Sequence, residues 1–116
     1  MPENRRRLLA RCSVAALLLA ALAACAPDAL RRTPEFDEWI AGVRNACHRE
    51  RIGKYTVGGL LDSAGSTEGG HFLNQTSRLY FDRIDADEWA RNVTAFILGR
   101  PDDPGLRCVL ERLPPR

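Results

Sequence analysis

The stretch IDADEWARNVTAFILGRP, residues 84–101, decides the fold class. Asp85 stands at an N-cap position and Glu88 follows three residues later, the capping-box spacing in which each side chain reaches the other residue's backbone N–H. Ile84, just before the cap, is placed to pack on Trp89 as a hydrophobic staple. Trp89, Val93, Phe96 and Ile97 then recur at three- and four-residue steps, which is the apolar stripe of a helix starting at Ala86. Gly99 and Pro101 stop it.

The same period continues on both sides of this segment. Upstream, Phe72, Leu73, Thr76, Leu79 and Tyr80 keep helical spacing and end around Arg83. Further upstream Thr33 is an N-cap, Pro34 suits the first helical position, and Glu35, Asp37 and Glu38 place negative charge where the helix dipole favours it. Phe36, Trp39, Ile40, Val43, Ala46 and Cys47 form the stripe of that helix, predicted to run to Ile52 with Gly53 as its cap. Downstream, Pro104 opens a last helix carrying Leu106, Val109, Leu110 and Leu113 up to Pro114. Residues 54–71 break the pattern. Tyr55 and Val57 alternate like a short extended piece, Leu60 and Leu61 point to the core, and SAGSTEGG at 63–70 reads as a flexible loop. The expectation is an all-α chain with a small four-helix bundle over residues 34–113.

The whole chain has 116 residues and a net charge of +2. This is the size of one small domain. Arg5, Arg6, Arg7 and Arg11 against Glu3 put a net +3 in the first eleven residues, leaving −1 for the remainder. A near-neutral remainder lacks the clustered basic footprint of a nucleic-acid binder.

Behind those arginines, residues 12–24 (CSVAALLLAALAA) carry no charge. Thirteen residues are too few for the roughly 20 that span a bilayer as a helix. A basic front, an apolar middle and small residues at the end are the order of a cleaved signal peptide. Leu22-Ala23-Ala24-Cys25 resembles the lipobox of bacterial lipoproteins. The resemblance implies cleavage between Ala24 and Cys25 and lipid attachment at the Cys25 thiol, with residues 1–24 removed and 25–33 left as a tether. Several acyl chains, at about 0.8 kcal/mol per buried methylene, hold a protein stably on a membrane. Ala26, rather than aspartate, after the cysteine implies the outer membrane, the domain facing the periplasm.

With Cys12 removed and Cys25 acylated, Cys47 and Cys108 remain, and an oxidising envelope favours their pairing as a disulfide. Cys108 lies on the opposite side of the last helix from Leu106, Val109 and Leu110, so the bridge calls for a helix covered on two sides or a site at the rim. An intermolecular bridge is the alternative.

Other chemistries find little support. Cys47-His48 matches the end of the haem motif C-x-x-C-H, but Arg44 stands where the first cysteine belongs. Cys47, His48, His71 and Cys108 follow no common zinc spacing. Ser63, Ser66 and His71 with Asp62 or Glu68 would be an enzyme's nucleophile, base and acid, but a Gly/Ser loop is poor support for them. Asn74-Gln75-Thr76 and Asn92-Val93-Thr94 match the glycosylation sequon inside predicted helices, as chance composition does. The sequence therefore implies no metal and no cofactor. The leading expectation is a non-enzymatic accessory or binding module with a protein partner in the envelope. Its lipobox, size, helix count and cysteine placement resemble secretin pilot lipoproteins, with toxin or hydrolase inhibitors as siblings in role. Neither likeness rests on a sequence motif, so no functional residue carries over. An enzyme using the loop around His71, or a purely structural envelope protein, are the alternatives.

Overall fold

The structure is a computed structural model that describes residues 30–115. The expected signal peptide, its expected cleavage between Ala24 and Cys25 and the expected lipid attachment at Cys25 lie outside the described residues. Helix α1 spans Pro34–Cys47, with the Thr33 hydroxyl accepting from the Phe36 N–H at 3.1 Å. It buries Phe36, Ile40, Val43 and Cys47, the expected stripe. Its end is a correction, because the chain leaves the helix after Cys47 rather than at Ile52. Arg51–Ile52 (β1) instead pairs antiparallel with Tyr55–Thr56 (β2), in the register Arg51↔Thr56 and Ile52↔Tyr55. Gly53, at φ 60°, is the first turn residue of that hairpin and not a helix cap. The competing force is burial: Ile52 is fully buried, and it reaches the core from the hairpin.

Residues 54–71 supply the second correction. Val57–Asp62 is a short helix, α2, capped by the Thr56 hydroxyl, which accepts from the Gly59 N–H at 3.0 Å. Val57, Leu60 and Leu61 are buried, a helical i, i+3, i+4 set in a segment too short to show a period. Helix α3 spans Thr67–Tyr80, and the Ser66 hydroxyl caps it by accepting from the Gly69 N–H at 3.1 Å. The Ser-Thr-Glu-Gly-Gly run is thus the start of a helix. Gly69 is there for close approach: a Cβ at this position would collide with the carbonyl oxygen of Ser63 and lie 2.6 Å from that of Leu60.

Helix α4, Ala86–Ile97, begins where the sequence indicates, with the Asp85 carboxylate accepting from the Glu88 N–H at 2.8 Å. Trp89, Val93 and Ile97 are buried. Phe96 departs from the expected stripe, at 44% exposed. The left-handed residue ending α4 is Leu98, at φ 57°, and Gly99 follows it, donating its N–H to the Thr94 carbonyl at 3.0 Å. Helix α5 spans Pro104–Glu111 and buries Leu106 and Val109. Its first-turn Gly105 lies against β1, where a Cβ would come within 2.8 Å of the Arg51 carbonyl oxygen.

Among the described residues the result is a small all-α fold of five helices with one short hairpin, where four helices were expected. Helix α1 packs on α2 and α5, α2 on α3, α3 on α4, and α5 on β1. Trp89, Phe36, Phe72 and Ile52 are the largest fully buried side chains of the shared core. Cys47 and Cys108 are bonded, with Cα atoms 5.8 Å apart. Cys47 is fully buried while Cys108 packs half-buried against the core, which places the bridge at its rim. The Trp39 indole N–H donates to the Arg112 carbonyl at 2.7 Å, while Cys47 at the other end of α1 is bonded to Cys108, so α1 and α5 run antiparallel.

Candidate functional site

Among the sequence-named residues, the structure joins Cys47 to Cys108 and separates the two histidines. His48 lies over α2, where a Cβ on Gly58 would meet its ring at 2.8 Å from Cγ. His71 is on α3, its ring stacked on Phe96 with centroids 3.9 Å apart and planes 12° from parallel. His71 Nε2 is 3.2 Å from the Asn92 carbonyl oxygen. The Asn92 amide in turn donates to Gln75 Oε1 at 2.9 Å. Among the described residues, no group of His, Cys, Asp or Glu is arranged to hold a metal ion.

The groups that a hydrolase would recruit are engaged elsewhere. The Ser63 hydroxyl donates to the Gly59 carbonyl at 2.7 Å, and the Ser66 hydroxyl donates to the Ser63 carbonyl at 2.7 Å. Asp62 Oδ1 lies 3.2 Å from Arg44 Nε, a charge contact on the α1–α2 side. Glu68 sits in the first turn of α3. His71, Gln75, Asn92, Ala95 and Phe96 line an open depression of about 310 Å³, with an aromatic wall and amide groups but no carboxylate.

A larger depression lies between α4 and α5. It measures about 390 Å³, and its lining includes Ala90, Pro101, Leu106 and Leu110, with Asp102, Arg107 and Glu111 beside them. A second hollow of about 270 Å³ shares Ala90, Pro101 and Leu110 and extends along α4 past Ala86, Asp87, Arg91 and Thr94. Together they make one groove. It exists because Ala86 and Ala90, four residues apart on α4, present methyl groups where α5 would otherwise meet long side chains. The loop that sets the spacing is held by Asp103. Its Oδ2 accepts from the Arg100 N–H and the Gly53 N–H, both at 2.8 Å, tying the α4–α5 connection to the hairpin.

This groove is what the sequence reading missed. Its signal is a second, weaker pattern on each helix: small residues at 86 and 90 off the Trp89 stripe, and Leu106 and Leu110 in step on α5. Chemically it offers an apolar surface between exposed charges of both signs. Among the described residues no helix is long and apolar enough to cross a membrane. No family model, no curated protein and no solved structure matches this chain.

Proposed function

We propose that the protein is a lipid-anchored accessory module of the bacterial envelope, not an enzyme, that binds a protein segment in the α4–α5 groove. The anchor part of this reading rests on Leu22-Ala23-Ala24-Cys25, with cleavage before Cys25, acylation of its thiol, and Ala26 directing the product to the periplasmic face of the outer membrane. The binding part rests on the groove, in which Ala90, Leu106 and Leu110 adjoin the exposed charges Asp87, Arg91, Arg107 and Glu111. An amphipathic helix lays its apolar face into such a surface and meets the flanking charges with its own polar residues. We read α1, α3, α4 and α5 as an up-down-up-down bundle, with the hairpin and α2 inserted after the first helix. In that arrangement the role resembles that of pilot or inhibitor lipoproteins. The alternative of an enzyme using the loop around His71 asks for a base oriented by an acid, and the partners of this ring are Asn92 and Phe96.

The test is capture from detergent-solubilised envelopes by the lipidated protein, by Ala90→Glu and by Cys25→Ala. Ala90→Glu fills the groove with a charged side chain on an already formed helix. We expect one stoichiometric partner whose affinity for Ala90→Glu falls by about tenfold or more, a loss of at least 1.4 kcal/mol. Cys25→Ala should leave the membrane fraction. A partner that binds Ala90→Glu as tightly as the wild type sinks the groove, and a Cys25→Ala that stays with the membrane sinks the anchor.

A further inference from the structure

We propose that Arg31 and Arg32 form a strap fastening the N-terminal tether to the end of α3 and the first turn of α1, and that this strap fixes which end of the domain faces the lipid surface. The orientation rests on the lipid-anchor reading above. The strap does not. Its central contact is the Ser77 hydroxyl, which donates to the Arg31 carbonyl at 2.6 Å across 46 positions of sequence. Ser77 is 2% exposed. A serine inside a helix ordinarily satisfies its hydroxyl on the carbonyl one turn back. Here the hydroxyl reaches the incoming chain instead, so a docked Arg31 is what satisfies a buried polar group.

Two further contacts hold the same segment. The Arg31 guanidinium lies over the Phe81 ring, 4.5 Å from its centroid. Arg32 donates from Nε to Asp37 Oδ1 at 2.9 Å, and its terminal nitrogen is 2.8 Å from the same oxygen. Both arginines therefore have partners within the protein. Of the expected tether, residues 26–30 then separate Cys25 from the strap, a length that reaches about 17 Å at full extension.

So short a leash selects an end of the domain. The strap leaves from the end that carries the first turn of α1, the Tyr80–Phe81 end of α3, the Asp85 cap of α4 and Arg112 beyond α5. Phe36 fixes this grouping, with its ring 5.3 Å from Tyr80 and 5.8 Å from Phe81, and the Trp39 to Arg112 bond adds α5. The hairpin and the loop at 98–103 form the far end, joined to each other through Asp103. The first end faces lipid and the second faces away, which leaves the length of the α4–α5 groove open from the side.

Arg31 and Arg32 are the only basic residues between Cys25 and α1, so trypsin cleavage there releases the domain from its anchor. The lipidated protein, in vesicles of phosphatidylethanolamine and phosphatidylglycerol, is digested with limiting trypsin beside Ser77→Ala and Phe81→Leu. Release of the wild type should be slow, and Ser77→Ala should release about fivefold faster, the effect of one ordinary hydrogen bond on a local opening equilibrium. Phe81→Leu, which keeps an apolar side chain, should also release faster. Equal rates for all three overturn the strap. Cys25→Ala, digested in solution, reads the same protection without lipid. For orientation, amide exchange on vesicles is compared with Cys25→Ala in solution. Peptides over 33–39 and 78–84 should slow on vesicles, while those over 51–56 and 98–103 should not; slowing at the latter pair overturns the orientation. Failure of the lipidated protein to float with vesicles refutes the anchor and with it the orientation, while the digest in solution still decides the strap.

Discussion

The pairs α1/α5 and α3/α4 are both antiparallel neighbours, yet different forces join them. Helices α3 and α4 are adjacent in sequence, and the short segment 81–85 connects them. They are held by non-covalent contacts alone: the Trp89 indole on Thr76 at 3.2 Å, the Asn92 amide on Gln75, and the His71–Phe96 stack. Helices α1 and α5 come from opposite ends of the domain, and their cysteines are separated by 61 positions. Closing that longer loop costs about 2 kcal/mol more than closing the five-residue one, on the logarithmic scaling of loop entropy. Helix α5 has only eight residues with which to offset that cost. Of these two pairs, the covalent link sits in the one with the larger loop entropy and the shortest of the four helices.

The strongest way to break this contrast is to remove the link. Cys47→Ser combined with Cys108→Ser should lower stability by about 4 kcal/mol on the chain-entropy scaling, read as a fall in the urea midpoint that reduction of the wild type reproduces. A loss below about 1 kcal/mol would mean that packing alone holds α5. The counterpart in the other pair is Thr76→Val, which keeps the shape but leaves the buried Trp89 N–H without an acceptor. It should cost about 1–3 kcal/mol by urea denaturation, less than the disulfide. An equal or larger loss would invert the ranking of the two pairs. The smallest change sharpens the joint between them. Leu98 is left-handed and 87% exposed, so its side chain carries backbone strain with little packing in return. Leu98→Gly should raise stability by about 0.5–1 kcal/mol, visible as a higher thermal midpoint.

The pair built from long helices is also the one that is legible in sequence. Asp85 and Glu88 announce the start of α4 because the capping signal is local and a twelve-residue stripe follows it. Residues 48–71 are opaque for the converse reason. The hairpin has two residues per strand, α2 has six, and neither is long enough to display a period. In that segment glycine carries two opposite meanings that composition does not separate: Gly53 supplies a positive φ for a turn, while Gly69 supplies an absent side chain inside a helix. The disulfide was legible by elimination of the other cysteines. The groove was not, because it depends on how α4 and α5 are spaced, and that spacing is set by Asp103 reaching back 50 positions to Gly53.

The Trp39 to Arg112 hydrogen bond has a practical side. It brings the departure of the chain after α5 to the same end as its arrival before α1. Any polypeptide that continues beyond Pro115 sets out beside the strap, and a reporter or affinity handle joined there would crowd whatever surface the tether approaches. The Gly53–Lys54 turn is the opposite pole of the molecule, and a label carried on the exposed Lys54 side chain would stand clear of it.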